Sequence, residues 1–299
     1  MNLLLQIPGV RRRLHFDASS QFVAPLAINT NSLMRSEITV VRTERSELRV
    51  IKHCTLHVPL TSLGLGENPV REQYMYEYVK NIVALDGGTG RGSEFIIKMF
   101  HTGVDGNVVV SQLEYCPGGD LFRAIQRNHL PTTDSKRLFF TQACMAVRFL
   151  HSHDIVHRDI SPENMFIGGD GNCRLADFGA ACTVTHHNSF RDGQLCGKDM
   201  YRSPEQNLGR HASGKASDVF ALGVSLFALL TNQALFRVAH TADEKWQFLN
   251  SVGIAELVAR WELTDKVTDS AADLLGQMLC AEPHRIAIEA VLQHPFLLV

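Results

Sequence analysis

Two short strings carry oxygen-bearing side chains at offsets that few reactions require. His157-Arg158-Asp159-Ile160-Ser161-Pro162-Glu163-Asn164 sets an amide, Asn164, five residues after a carboxylate, Asp159. Asp177-Phe178-Gly179 adds a second carboxylate eighteen residues beyond the first. Phosphoryl transfer uses such a set: one carboxylate orients the attacking hydroxyl and accepts its proton, while the amide and the second carboxylate hold Mg²⁺ against the phosphates. Asp-Phe-Gly alone is common; the ordered pair at this spacing is hard to produce by chance.

Those residues need elements to position them, and the chain changes character near residue 115. Before it, Ile38–Val41 and Leu48–Lys52 read as strands joined by a polar turn over Arg42–Glu47. From about Val70 to Leu85, Met75, Val79, Ile82 and Val83 recur at helical spacing, with Pro69 suited to a first turn. Phe95–Phe100 and Val108–Val110 read as strands flanking Asp105-Gly106, a hairpin signal. After Pro117-Gly118-Gly119, helices are expected over Asp120–Arg127, Asp134–His151 and Ser217–Thr231. Asp86–Gly92 reads as a flexible insertion, since it precedes a strand, whereas a phosphate cradle follows one. The prediction is an α+β chain with a small sheet-plus-helix part followed by a larger helical part.

Composition permits this plan without selecting it. The chain has 299 residues, 45% hydrophobic and 20% charged, with net charge −2; nothing proposes nucleic acid as a partner. Seven scattered cysteines point to reduced thiols in a cytoplasmic compartment. Leu3–Leu5 precedes Arg11–Arg13, the reverse of a signal peptide's order, and is too short to span a bilayer; an unusual export signal is left open. The longest apolar run, Val219–Leu230, has the length of a buried core helix. His186-His187 near Cys182 lacks the second half of a zinc site.

The two catalytic strings resemble the catalytic loop and magnesium loop of the protein kinase family, and the resemblance covers roughly Phe22 to Phe296. It implies a two-lobed protein kinase fold: an N-terminal extension over 1–21, then a kinase domain over 22–299, with an antiparallel β-sheet N-lobe carrying one helix (22–115) and a mainly α-helical C-lobe (116–299). It places Lys52, in Val50-Ile51-Lys52, as the phosphate-binding lysine, with Glu72 as its helix partner and Glu77 as the alternative. Gln112–Asp120 resembles the hinge, where Glu114 to Cys116 would meet adenine with Leu113 behind. Cys196–Glu205 resembles the substrate-binding end of the activation segment. Asp218, Gly223, the Glu205/Arg285 pair and His294-Pro295-Phe296 match later landmarks. The implied cofactors are ATP and Mg²⁺, with Asp159 as base, Asn164 and Asp177 as metal ligands, and protein serine or threonine hydroxyls as acceptors. Asp120 and Glu163 match positions that often read basic residues in the substrate. Thr183, Thr185 and Ser189 lie where a phosphate could meet Arg158.

Three departures narrow the resemblance. No glycine occurs between Val10 and Leu63, and Asn31, Leu33 and Ser36 stand where the family's phosphate-covering loop carries glycines. Ser161 replaces a lysine that touches the transferred phosphate, and Lys198 replaces a threonine facing it; read together, the two exchange partners. The glycine-poor lid, Val50-Ile51-Lys52-His53 and Cys196-Gly197-Lys198 also resemble the FIKK kinases of apicomplexan parasites. A catalytically impaired pseudokinase acting as a binding module stays open beside the active enzyme. So does a small-molecule phosphotransferase, which would not need the Gly197–Glu205 platform.

Overall fold

The computed structural model describes residues 21–30, 34–58, 69–85, 91–130, 132–184, 195–210 and 212–298. Five antiparallel strands form the N-terminal sheet: β1 (Gln21–Thr30), β2 (Met34–Arg42), β3 (Leu48–Leu56), β4 (Met99–Asp105) and β5 (Val108–Glu114), in the order β1-β2-β3-β5-β4. The β2–β3 turn falls where the polar Arg42–Glu47 stretch places it, closed by Thr43 N–H donating to Glu47 O at 2.9 Å. The Asp105-Gly106 hairpin also forms, with Gly106 at φ +59°, a conformation favoured by glycine. β3 is central, pairing Lys52 with Ile38 on one side and Ser111 on the other. The two-residue period of a strand puts Val50, Lys52 and Cys54 on one face.

The sequence expectation missed β1, and the Phe95–Phe100 strand is corrected. Ser93–Phe95 is a 3₁₀ turn, Ile96 forms an isolated bridge to Leu175, and the strand begins only at Met99. That apolar run serves the junction with the helical part instead, where Phe95, Ile96 and Ile97 are buried.

Helix α1 (Pro69–Leu85) packs beside the sheet with Glu72, Met75, Tyr76 and Val79 buried, the i, i+3, i+4, i+7 stripe of a helix face. The C-terminal part is helical: α2 (Leu121–Gln126), α3 (Thr133–Ser152), α4 (Pro204–Asn207), α5 (Gly214–Thr231), α6 (Glu244–Arg260), α7 (Asp269–Leu279) and α8 (Ile288–Val291). Four minor strands lie between α3 and α4: β6 (Ile155–Val156) pairs β9 (Cys182–Thr183), and β7 (Met165–Ile167) pairs β8 (Cys173–Leu175). α5 starts three residues before the expected Ser217 because Ser213 caps it, its side chain accepting from Ala216 N–H. Among the described residues, α5 is the one helix long and apolar enough to cross a membrane, and 83% of it is buried inside the fold. The expected two-part, sheet-then-helix architecture is the observed one.

Candidate active site

Lys52 reaches from β3 to Glu72 on α1, with Nζ donating to Oε1 at 2.8 Å and Oε2 at 2.6 Å. Glu72 is buried and bonded to Lys52, whereas Glu77 is half-buried and lies 4.0 Å from Lys80, so Glu72 is the lysine's partner. Burial alone would depress the Lys52 pKa, but Glu72 and Asp177 outweigh it and hold the ammonium charged. Asp177 takes φ +68° at the start of its loop. Its backbone N–H donates to the Tyr76 hydroxyl at 3.2 Å, one helical turn beyond Glu72, and its carboxylate accepts from Gly179 N–H at 3.3 Å. Burial would raise its pKa; Lys52 and the Gly179 amide more than offset this, and Asp177 sits below the usual carboxylate range. Phe178 is fully buried between Tyr76 and His157, at ring distances of 5.0 and 5.1 Å.

The loop bearing Asp159 is anchored from below. Asp218, near the start of α5, accepts from the N–H groups of His157 (2.9 Å) and Arg158 (2.8 Å) and from His151 Nε2 (2.9 Å). Those bonds hold Arg158 at φ +69°, a strained conformation for an L-residue with a Cβ. The Arg158 guanidinium donates to two thiols, Cys182 Sγ at 3.3 Å and Cys196 Sγ. Asn164 then fixes Asp159, its Nδ2 donating to Oδ2 at 2.8 Å and to the Asp159 carbonyl at 2.7 Å. Burial raises the Asp159 pKa, with Lys198 and His157 opposing. Its Oδ1 is buried and has no hydrogen-bond partner among the described residues.

A cleft of about 360 Å³ opens between sheet and helices. Lys52, Glu72, Leu113, Glu114, Cys116, Asp120, Asn164 and Asp177 all line it. Leu26 and Ala27 of β1 line it too, which gives that apolar, largely exposed strand a place in the structure. Asp159 and Lys198 meet just outside this cleft: Lys198 Nζ donates to Ser161 Oγ at 2.7 Å and lies 3.7 Å from Asp159 Oδ2. Lys198, expected to bind the nucleotide through its transferred phosphate, does not line the cleft of Lys52 and Asp177; its ammonium lies at the Asp159 loop. Asp120 caps α2, accepting from Arg123 N–H at 2.8 Å. Asn31, Leu33, Thr185, His186, His187 and Ser189 lie outside the described residues; Ser36 is buried on β2 against Cys54, and Thr183 lies on β9.

The protein kinase domain model matches residues 87–297, well over half of the chain. This chain belongs to the protein kinase family. It is 29% identical over 236 residues to the maternal embryonic leucine zipper kinase of Xenopus tropicalis, covering 79% of this chain and 34% of that protein. It is 32% identical over 186 residues to Aurora kinase A-B of Xenopus laevis, covering 62% and 43%. It is 32% identical over 204 residues to serine/threonine-protein kinase PLK4 of Xenopus tropicalis, covering 68% and 20%. The kinase chain thus spans about a third of the first relative and less than half of the others. The family match begins at 87, so Lys52, Glu72 and the glycine-free strands lie outside it, and their place in the kinase rests on the geometry above.

Members of the family use ATP and Mg²⁺, and the donor set here fits the ion. Asn164 uses its Nδ2 on Asp159, which leaves its carbonyl oxygen, and Asp177 is an ionised carboxylate; these are hard oxygen donors, and Mg²⁺ fills its other positions with water and phosphate oxygens. Among the described residues no cluster of three or more His, Cys, Asp or Glu suits any other metal.

Two contacts of the kinase site were not foreseen from sequence. The Tyr76 hydroxyl supports the magnesium loop; its signal was available, since Tyr76 follows Glu72 by four residues on one helix face. Arg174 on β8 grips the Glu114 carboxylate with Nε at 3.1 Å from both oxygens and also binds Asp170 at 2.8 Å. The hinge is thereby tied to the helical lobe by a contact spanning 60 residues, which no local pattern signals. Cys116, at the hinge, is kept protonated by burial, which pushes its thiol up to about 12.

Proposed function

We propose that this chain is a protein serine/threonine kinase, transferring the γ-phosphate of ATP to hydroxyl groups of protein substrates, within a kinase domain over 22–299 whose lobes meet near 115. The observation that carries the reading is the complete set: a charged Lys52 paired with buried Glu72, beside Asp177, Asn164 and a fixed Asp159. An inert scaffold has no need to keep that ion pair and the unpartnered Asp159 oxygen together.

The roles follow from position. Glu114 to Cys116 would meet adenine through backbone groups, with Leu113 behind it. Lys52, held by Glu72, would fix the α/β-phosphates, and Asn164 and Asp177 would hold Mg²⁺, which neutralises charge building on the phosphates. Asp159 Oδ1 would orient the substrate hydroxyl and take its proton. Of the two acids expected to read basic residues, Asp120 is committed to its helix cap, whereas Glu163 keeps Oε2 without a hydrogen-bond partner among the described residues. Glu163 is therefore the better reader of an arginine or lysine near the acceptor. The seven free cysteines support a reducing, cytoplasmic setting.

The test is phosphate incorporation from ATP–Mg²⁺ into the chain itself and into an arginine-containing serine peptide. Wild type should label both, and Asp159→Asn should label neither while keeping a thermal shift with ATP. Wild type that incorporates nothing and shows no shift would favour the scaffold reading.

A further inference from the structure

The residue at the centre of the loop, Ser161, is completely buried and too short to reach a phosphate. Directly over it stands Lys198, whose ammonium donates to Ser161 Oγ at 2.7 Å and lies 3.7 Å from Asp159 Oδ2. An ammonium has three donors and Ser161 takes one. The Lys198 side chain is 41% exposed, so the remaining donors face open space beside the Asp159 carboxylate. A lysine kept merely to neutralise Asp159 would be expected at contact distance; here the contact distance is to the serine hydroxyl, and the carboxylate is the farther neighbour. Ser161 thus acts as a rest that aims the cation past Asp159.

Its backbone is held with equal care. Gly197 takes φ +75°, and a Cβ there would lie 2.6 Å from the Arg158 carbonyl oxygen, so only glycine brings this segment down onto the loop. Arg202 Nε donates to the Gly197 carbonyl at 3.1 Å, and Tyr201 N–H donates to the Lys198 carbonyl at 2.9 Å. Lys198 therefore projects from a backbone pinned on both sides.

We propose that Lys198 is a catalytic residue whose ammonium contacts the transferred phosphoryl group, delivered from the segment before Asp199 instead of from the loop that carries Asp159. The proposal rests on the kinase reading. In the step, the substrate hydroxyl oxygen bonds to the γ-phosphorus and its proton passes to Asp159. The bond from that phosphorus to the bridging oxygen breaks, ADP leaves with the bonding pair, and Lys198 faces the negative charge on the phosphoryl oxygens throughout. The phosphate grip then exists only while the Gly197–Lys198 segment is docked.

The experiment measures kcat, the KM for ATP and the unfolding midpoint of the full chain with ATP–Mg²⁺ and the arginine-containing serine peptide, in wild type, Lys198→Met, and the double variant Ser161→Lys/Lys198→Thr. Lys198→Met should lose roughly 10²-fold in kcat, the loss typical of one transition-state donor, with the KM for ATP and the midpoint unchanged. The double variant, which returns a lysine to the loop, should recover most of that loss. Lys198→Gln, which keeps a donor for Ser161 and removes only the charge, is read on the same scale should the methionine variant unfold. A Lys198→Met or Lys198→Gln enzyme turning over at the wild-type rate overturns the proposal, as does a double variant no faster than Lys198→Met. Failure of the kinase reading looks different: wild type itself would then transfer no more phosphate than Asp159→Asn.

Discussion

Asp218→Asn is the sharpest probe of how the loop is held. The carboxylate serves three donors with two oxygens: Arg158 N–H at one, His157 N–H and His151 Nε2 at the other, and it is 1% exposed. An asparagine brings one oxygen and an NH₂ group. However the amide turns, at least one donor loses its acceptor and faces N–H hydrogens instead. A hydrogen bond to a charged group contributes about 1.5–3 kcal/mol, so losing one costs about that much. For a fold this size that corresponds to a midpoint lowered by roughly 2–5 °C. Arg158 also loses what holds it at φ +69°, a conformation about 1–2 kcal/mol above the usual one, so the loop relaxes and carries Asp159 with it. Displacement of a reacting group by about 1 Å costs on the order of 10²-fold in rate. Differential scanning calorimetry and a steady-state kinase assay read the two effects. A variant with the wild-type midpoint and the wild-type kcat would refute the claim that these three bonds set the loop.

Glu72→Gln should lower kcat/KM for ATP by about tenfold or more, or ~1.4 kcal/mol, since half-buried Lys52 loses the charge that chiefly sustains its own; Glu77→Gln, which does not touch Lys52, should change nothing, and equal effects would unseat Glu72. Glu205 meets Arg285, whose side chain is fully buried, and its pKa lies below the ordinary value because Arg285 and the Glu282 amide outweigh its burial. A depressed carboxyl stabilises the fold above its unfolded pKa of about 4.3 and ceases to do so as pH falls through its lower folded value. The midpoint difference between wild type and Glu205→Gln should therefore be large at pH 7 and shrink below about pH 4; a gap independent of pH would count against the pair.

What was legible in the sequence was local. Asp159, Asn164 and Asp177 sit in strings whose order alone implies a metal-and-base site, and the helical spacing of Met75 and Val79 placed Glu72 inward. β1 was not legible: Gln21–Thr30 alternates neither in hydropathy nor in burial, and Pro25 argues against a strand, although an edge strand tolerates one. The Phe95–Phe100 run misled because a short apolar stretch looks alike whether it pairs in a sheet or fills a lobe junction. Arg174 on Glu114, Asp218 under Arg158, and Lys198 on Ser161 are contacts between segments 37 to 60 residues apart, created by the fold and invisible to any window along the chain.

Arg158 has one further consequence. Its two terminal nitrogens point at sulfurs from positions 182 and 196, so two places on the chain fourteen residues apart are already tethered to a single cation. A phosphate reaching that guanidinium would replace soft, weak acceptors with hard, charged ones. Modification at this point is an exchange of ligands on an occupied cation, so its gain is the difference between oxygen and sulfur and not the whole strength of a new ion pair. The segment is held by a weak latch before anything signals to it, and a signal would only tighten the latch.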